Sequence, residues 1–271
     1  MVEKNIMKMN KYKFIDEGKA HLHTINEEPL LGTSTVTGII AKNLTWWAAE
    51  TSAVECLESG EHIPTIRQEY EEAKKLGKEC IDALQKKYPT FKKARFAHYE
   101  VKNKKAEQGT DLHSELEDFV VSMIKNHDGT PHETKHDNPK VQQFINWSIK
   151  NVKRFLVSEI HCYSERLWVG GICDVVWEMN DGTIVIGDFK SAPKPYHSHW
   201  VQIGGYNILL EENGGFDGDG NKIFELGKVG AYAVVPFGSE SIIPQFRYDL
   251  EAKREAFECA VKLYKDDQNT K

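Results

Sequence analysis

The chain has 271 residues, of which 40% are hydrophobic and 28% are charged, and its formal net charge is −6. These fractions are those of an ordinary globular protein, so they exclude a disordered or fibrous chain. No apolar run approaches the roughly 18 residues that a membrane span needs. The N-terminal segment lacks the apolar core and the small-residue cleavage site of a secretory signal, so we expect a soluble, cytoplasmic protein without a membrane partner.

Cysteine usage supports the same compartment. The five cysteines are scattered along the chain and form no CxxC pair. An odd number of isolated cysteines argues against a disulfide framework or a zinc ribbon and favours a reducing compartment. They are Cys56, Cys80, Cys162, Cys173 and Cys259.

Residues 1–106 are predicted to form an N-terminal extension that is mainly helical and becomes basic toward its end. Short strands and turns are expected over 1–43, followed by a helix over 44–58. A second helix is expected over about 64–87, and Pro89 prevents its continuation.

Residues 86–105, called the basic stripe below, contain eight Lys or Arg and one Glu. Aromatic residues lie among these cations, at Tyr88, Phe91, Phe96 and Tyr99. Cations that follow phosphates and rings that stack on unpaired bases are typical of single-strand binding. A solvated helix end with its aromatics in the core is the alternative. The predicted DNA-binding residues are Lys86, Lys87, Lys92, Lys93 and Arg95.

Residues 107–271 are predicted to form the core of the protein. Runs of strands enclosed by helices predict an α/β or α+β sheet layered with helices. The predicted helices are 107–126, 139–156, 197–213 and 249–266. The predicted strands are 157–168, 169–179, 183–191, 227–237 and 241–248.

The strongest local signal lies in residues 170–191, where two apolar strands meet at the turn Asn180-Asp181-Gly182. A three-residue loop with glycine in the left-handed position is a favoured hairpin connection. This loop places Asp174 directly opposite Asp188, with Cβ atoms about 5 Å apart. Two carboxylates this close repel unless a cation or protons lie between them, and a hard divalent ion is the natural filler. A two-residue loop would shift the register and remove this alignment.

Lys190 follows Asp188 by two residues, so both side chains project from one face of the strand. A lysine beside a metal-bound carboxylate pair can hold or deprotonate an attacking water, or neutralise the charge on a phosphorane. A structural salt bridge with Asp174 and Asp188 is the alternative, but desolvation makes it costly in so apolar a hairpin. We therefore favour a functional site.

Two further pairs have helical spacing. His113 and Glu117 lie four residues apart, which allows an imidazole to reach a metal with a carboxylate behind it; a surface contact is the alternative. Gln202 and Tyr206 have the same spacing and offer an amide and a phenol on one face. For this pair the alternative is a partly buried Tyr206 beside an exposed Gln202.

In combination these motifs resemble the RecB-type branch of the PD-(D/E)XK nucleases over about residues 107–237. The order of the motifs and their setting on strands or helices agree with that family. The matching residues are Gly109, His113, Glu117, Gly171, Asp174, Asp188, Lys190, Gln202 and Tyr206.

The resemblance implies a restriction-endonuclease-like core, with a central mixed sheet in the order α-β-β-β-α-β, that cleaves DNA with Mg²⁺ or Mn²⁺. It assigns the metal to His113, Asp174, Asp188 and the Phe189 carbonyl. It makes Lys190 catalytic together with the two aspartates. The residues that it places in support of the metal ligands or against DNA are Glu117, Glu159, Gln202 and Tyr206.

The family's iron–sulfur members carry three clustered cysteines near the C-terminus, where this chain has Cys259, so no iron–sulfur cluster is expected. We expect a stand-alone exonuclease that acts on DNA ends in recombination, repair or phage DNA metabolism. Its expected partners are DNA and a single-strand annealing or recombination protein. The alternatives are a catalytically inactive DNA-binding protein of the same fold and a structure-specific endonuclease. A sequence-specific restriction enzyme is disfavoured, because those rarely carry the HxxxE and QxxxY motifs.

Overall fold

The computed structural model describes residues 12–16, 21–40, 45–58, 65, 68–69, 72 and 86–269. The chain divides into two compact units, one formed by Met1–Ala41 with Gly109–Lys271 and one formed by Lys42–Gln108. The sequence prediction treats residues 1–106 as a single extension. In the structure, the described residues before Ala41 belong to the larger unit, which also contains the central sheet.

The bounds of the elements are as follows. The strands are β1 (Tyr12–Asp16), β2 (His21–Ile25), β3 (Glu28–Pro29), β4 (Leu31–Gly32), β5 (Val152–Ser164), β6 (Val169–Met179), β7 (Ile184–Lys190), β8 (Gly215–Phe216), β9 (Lys222–Phe224), β10 (Val229–Pro236) and β11 (Gln245–Arg247). The helices are α1 (Thr33–Thr37), α2 (Thr45–Glu58), α3 (Pro89–His127), α4 (Pro139–Asn151), α5 (His197–Asn213) and α6 (Leu250–Asn269). Within the described ranges, no helix is both long enough and apolar enough to cross a membrane.

A mixed sheet forms the centre of the larger unit. Its strands lie in the order β11-β10-β7-β6-β5-β8-β9, and β4 pairs with the start of β6. Strands β5, β6 and β7 form an antiparallel meander, whereas β10 returns parallel to β7. A parallel return requires a crossover connection, which α5 supplies. The predicted α/β class with a central mixed sheet is therefore confirmed.

Helices cover both faces of this sheet, because side chains of successive strand residues point to opposite faces. On one face, Ile186 packs in a core with Val201 of α5 and Phe257 of α6. On the other face, Val185 packs in a second core that includes Phe119 of α3 and residues of α4. The sheet is thus buried from both sides, as expected for strands that are almost continuously apolar.

Strand β6 changes its partner on the side away from β5. Leu31 of β4 pairs in parallel with Val169, and Gly32 pairs with Gly170. Strand β7 then pairs antiparallel with residues 175–178. Between these two partners, residues 171–174 have no strand partner on this side among the described residues, and we call this opening the seam.

The start of helix α3 differs from the prediction. The expected start near residue 107 is wrong, because the helix begins at Pro89 and continues unbroken to His127. Proline suits the first turn of a helix, where its missing N–H would have no partner. In residues 90–106 the apolar stripe is narrow, with the small residues Ala94 and Ala97 buried, and Lys and Arg on the other faces favour the helix.

Other element boundaries also differ from the prediction. The predicted helix over 139–156 ends at Asn151, since Val152 already pairs with Met179 as the first residue of β5. The predicted start of this strand at residue 157 is therefore too late. Helix α5 has the predicted bounds, whereas the strand expected over 241–248 is confined to Gln245–Arg247.

The predicted helix over 64–87 lies mostly outside the described residues. Residues 65, 68–69, 72 and 86–87 are described and are helical. Helix α2 begins at Thr45 and ends at Glu58, in agreement with the prediction.

Candidate functional site

The turn between β6 and β7 sets the register that the sequence predicted. Gly182 has φ +87° in the left-handed region, and the Met179 amide donates to the Thr183 carbonyl at 2.9 Å. The facing pairs run from Glu178 opposite Ile184 up to Val175 opposite Gly187. The predicted register is therefore confirmed, and the ladder stops one step before Asp174 and Asp188.

Asp174 lies at the edge of the seam and is held by two donors. Its Oδ2 accepts a hydrogen bond from the Phe189 amide at 2.7 Å, and it lies 3.3 Å from His113 Nε2. Burial alone would raise the pKa of Asp174, but the His113 hydrogen bond and the Lys190 charge outweigh it and lower the pKa. Asp174 is thus an ionised carboxylate in a nearly buried position, with its side chain 13% exposed.

Asp188 and Lys190 contact each other on β7, as predicted. Lys190 Nζ donates to Asp188 Oδ1 at 2.7 Å. The Asp188 side chain is completely buried, and its Oδ2 has no hydrogen-bond partner among the described residues. Burial is the main reason why the pKa of Asp188 rises to about 7, against the lowering effect of Lys190. A buried carboxylate oxygen without a partner is costly unless a proton or a cation binds it.

Lys190 keeps its proton in spite of burial. Desolvation lowers the pKa of its ammonium group, but the charges of Asp188 and Asp174 raise it by more. The side chain is 23% exposed, so part of it can reach a molecule that enters the site.

His113, Glu117 and Glu159 form a cluster beside Asp174. One ligand atom of each lies within 4.8 Å of the other two. Helix α3 supplies the first two from one face, as their spacing predicted, while Glu159 comes from β5. The Glu159 Oε1 is buried without a hydrogen-bond partner among the described residues. Burial, and then the charges of Asp174 and Glu117, raise the pKa of Glu159 to about 8.

The backbone of Glu159 is strained. Its φ is +48°, in the left-handed region that non-glycine residues rarely adopt inside a strand. The pairs on either side of it are Ser158 with Val175 and Ile160 with Cys173, so Glu159 lies across from Asp174. Strain of this kind costs on the order of 1–3 kcal/mol and occurs mainly where a site requires it.

Gln202 and Tyr206 are both buried and contact each other. Gln202 Nε2 donates to the Tyr206 hydroxyl at 2.8 Å, and Thr33 makes a further hydrogen bond to that hydroxyl. The alternative of an exposed Gln202 is wrong, since its side chain is 9% exposed. Burial, followed by the charges of Asp188 and Asp174, raises the pKa of Tyr206, so the phenol lies within electrostatic reach of both carboxylates.

The Phe189 carbonyl as a metal ligand stays a prediction. The Phe189 amide contacts Asp174, and the buried ring meets the His113 ring edge-on with centroids 5.6 Å apart. This contact fixes the imidazole at the edge of the seam.

Two residues near the site were missed by the sequence prediction. His199 is partly buried near Lys190, and this burial together with the Lys190 charge lowers its pKa to about 4. Thr33 reaches Tyr206 from the N-terminal segment. Neither belongs to a spaced motif, so no sequence pattern could have identified them.

Comparison of the chain with models of known protein families and with curated proteins found no match. The function must therefore be inferred from the motifs and from the geometry of the site. Its donors are carboxylate oxygens with one imidazole, a set that suits Mg²⁺ or Mn²⁺ better than a soft thiophilic metal.

The basic stripe belongs to the smaller unit. All five predicted DNA-binding side chains are exposed. Two of them form ion pairs within that unit, since Lys87 Nζ lies 2.6 Å from Glu69 Oε1 and Lys93 Nζ lies 2.6 Å from Glu55 Oε1. Exposed pairs of this kind contribute little to stability, so a polyanion could displace them.

The aromatic residues of the stripe are partly open to solvent. Phe96 is 36% exposed and Tyr99 is 53% exposed, with ring centroids 6.1 Å apart. The side chain of Phe91 lies outside the described residues. The alternative in which the aromatics fill the core is therefore wrong for Phe96 and Tyr99.

Proposed function

We propose that the chain is a metal-dependent deoxyribonuclease of the RecB-type PD-(D/E)XK kind, with a restriction-endonuclease-like core. The observation that supports this most strongly is the fully buried Asp188. Its Oδ1 pairs with Lys190, its pKa is raised in part by the charge of Asp174, and its Oδ2 has no hydrogen-bond partner among the described residues. A structural ion pair would leave no buried oxygen without a partner. A cation that completes this coordination accounts for it.

The residues present fit a divalent cation. Asp174, Asp188 and His113 would hold it, together with the Phe189 carbonyl that the family resemblance suggests, while Glu117 and Glu159 lie beside them with oxygens that attract the same charge. When bound, Mg²⁺ or Mn²⁺ supplies charge stabilisation to a phosphodiester and lowers the pKa of a water ligand.

The protein groups have distinct tasks in this proposal. Lys190 is protonated, so it orients an attacking water and offsets charge on the phosphorane instead of acting as a base. Asp188 holds Lys190 in place through the 2.7 Å ion pair. Gln202 fixes the Tyr206 hydroxyl, which lies within electrostatic reach of the carboxylates and can donate to a phosphate oxygen.

We favour an exonuclease that acts on DNA ends and works with a single-strand annealing or recombination protein. The exposed cations of the stripe, which lie among partly exposed aromatics, support a single-stranded end as substrate. A structure-specific endonuclease would use the same site.

A catalytically inactive DNA-binding protein is the second candidate, and the exposed cations of the stripe would suffice for it. The complete set of His113, Asp174, Asp188 and Lys190 favours the nuclease, because loss of catalysis removes the reason to keep unpartnered carboxylates buried.

One assay tests the proposal. The purified protein is incubated with 5′- and 3′-labelled DNA, single- and double-stranded, linear and circular, in Mg²⁺, in Mn²⁺ and in EDTA. We expect metal-dependent release of short products from linear DNA. Cleavage that is equal in EDTA, or binding without cleavage in either metal, would exclude the nuclease.

A further inference from the structure

A cavity with several hydrogen-bonding side chains in its lining lies beside β6, the strand that carries Asp174. Its volume is about 180 Å³, room for about six waters at roughly 30 Å³ each. It adjoins the start of β6, the β2 strand, helix α1 and Tyr206 of helix α5. The lining residues are His21, His23, Gly32, Thr33, Ser34, Gly170, Gly171, Ile172 and Tyr206. We call it the His23 cavity.

Tyr206 and strand β6 connect this cavity with the carboxylate site. Tyr206 lines the cavity and also feels the charges of Asp188 and Asp174. Ile172 lies two residues before Asp174 on β6, which corresponds to about 7 Å along the strand. This distance is comparable with the separation of neighbouring phosphates along a DNA strand.

Two glycines form part of the wall. A Cβ on Gly170 would lie 2.6 Å from the His23 Cβ, and a Cβ on Gly171 would lie 2.6 Å from Thr33 Oγ1. The His23 and Thr33 side chains can thus approach the backbone of β6 only because these positions lack side chains.

His23 offers a hydrogen-bond donor into this cavity. It is 5% exposed, and its Nδ1 lies 2.6 Å from the Tyr12 hydroxyl. Burial is the main reason why the pKa of His23 falls to about 3, so the ring is neutral. Burial also raises the pKa of Tyr12, and we assign its protonated hydroxyl as the donor to Nδ1. The other ring nitrogen of His23 then carries the hydrogen.

The Nε2–H of His23 has no protein acceptor among the described residues. The Nε2 atom is not fully enclosed by protein atoms, so it is open to the cavity that the ring lines. The Ser34 hydroxyl lies at the exposed rim. No carboxylate lines the cavity among the described residues, so its lining favours a ligand rich in acceptors.

We propose that the His23 cavity binds the phosphate group next to the scissile one in the substrate strand. His23 and Ser34 would donate to its oxygens, and Tyr206 would contact both phosphates. The identification of this phosphate as part of a substrate DNA strand rests on the nuclease function proposed above. The binding of phosphate by the cavity does not depend on that function.

The test compares Ser34→Phe, which fills the cavity from its rim, with Thr35→Phe, a matched change at the next exposed position, which does not line it. Histidine-selective NMR follows His23 Nε2 without metal during titration with inorganic phosphate, thymidine 5′-monophosphate or thymidine. We expect a shift with the two phosphates and none with thymidine. We expect Ser34→Phe, but not Thr35→Phe, to abolish that shift.

A second measurement uses labelled oligothymidylate in Ca²⁺, which prevents cleavage. Ser34→Phe should weaken binding about tenfold, the loss expected when hydrogen bonds to a charged group are removed, and Thr35→Phe should bind like the parent. Melting temperatures confirm that both variants fold.

The outcomes separate the two proposals. The cavity assignment would be overturned by a shift with thymidine alone, by the absence of a shift with phosphate, or by DNA binding of Ser34→Phe equal to that of the parent. None of these results would contradict the proposed DNA cleavage. Phosphate binding at His23 in a parent chain that neither binds nor cleaves DNA would exclude the nuclease, and with it the substrate strand as the source of the phosphate.

Discussion

The carboxylate site and the basic stripe both concentrate charge, but they differ in burial. In the site, Asp188 is completely buried, and one of its oxygens has no hydrogen-bond partner in the part of the chain that the structure describes. In the stripe, the cations are exposed, and Lys87 and Lys93 are already neutralised by glutamates. Buried charge is costly and therefore indicates a ligand, whereas exposed charge is compatible with mere solubility. The function is accordingly better supported by the site than by the stripe.

The largest expected effect is that of Asp188→Asn. It should lower cleavage roughly a thousandfold or more, because bound metal contributes several kcal/mol of charge stabilisation. Asp219→Asn is the control, since Asp219 is exposed and its side chain makes no ion pair among the described residues. Single-turnover cleavage in Mg²⁺ measures both, and Asp188→Asn activity within tenfold of the parent would refute the metal assignment.

Lys190→Ala should abolish turnover while Mn²⁺ binding stays measurable by calorimetry. The reason is that the ammonium acts on water and on phosphorane charge, not on the ion. Lys194→Ala, a change on the loop after β7, is the control. Loss of metal binding together with activity would show that Lys190 maintains the carboxylates structurally.

His113→Ala should lower cleavage in Mg²⁺ about a hundredfold, with partial recovery in Mn²⁺, because an imidazole ligand favours the softer ion. His136→Ala is the control, because His136 Nδ1 accepts a hydrogen bond from the Asn138 amide and the ring makes no contact with the carboxylates among the described residues. If His113→Ala and the parent are equally active in both ions, His113 is not a metal ligand and only makes a surface contact with Asp174.

The stabilisation by metal should depend on pH. The pKa of Asp188 is raised to about 7 and that of Glu159 to about 8, from 3.8 and 4.5. The folded chain therefore binds protons that the unfolded chain releases, so the metal-free free energy of unfolding falls as the pH rises from about 4 to 8. Mn²⁺ competes with those protons.

The increase in melting temperature on adding Mn²⁺ should thus be larger at pH 8 than at pH 6. Thermal denaturation with and without Mn²⁺ measures it, and Asp188→Asn should flatten the dependence. An Mn²⁺ effect that is the same at both pH values would contradict the proposed competition.

The smallest effects are expected in the stripe. Lys86 and Lys92 form no ion pair among the described residues, so neutralising both should reduce the salt slope of single-strand affinity by roughly 0.7 per lost contact. Neutralising Lys87 and Lys93 should reduce it less, because their glutamate partners already compete with phosphates. Anisotropy in Ca²⁺ measures the slope, and cleavage at saturating DNA should not change.

If the slope is unaltered in all of these variants, including one with Arg95 also replaced, the stripe is only a solvated surface. If cleavage at saturating DNA falls in these variants, the proposed division between a catalytic site and a surface that only binds DNA is wrong.

The sequence predicted the hairpin well, because its register depends on local rules. The three-residue turn ending in Gly182 suffices to set the register in which Asp174 lies across from Asp188. The spacing of His113 and Glu117 on a helix likewise follows from helix geometry. These relations involve neighbours in sequence or in one hairpin.

Other features depend on tertiary packing and could not be predicted. The left-handed backbone of Glu159 is imposed by its neighbours in the sheet, and no residue preference signals it. The return of residues 31–33 to the start of β6 joins segments that are distant in sequence.

The seam in β6 has a consequence for how variants of Asp174 should be interpreted. Where the ladder to β7 stops, the Asp174 carboxylate replaces a backbone acceptor for the Phe189 amide. Asp174→Ala would leave that buried amide unsatisfied, which costs about 1–3 kcal/mol, and it would loosen the strand that carries Asp188. Loss of activity in such a variant would mix a folding defect with a chemical one. Asp174→Asn keeps an acceptor for the amide, so it separates the structural part of this residue from its charge.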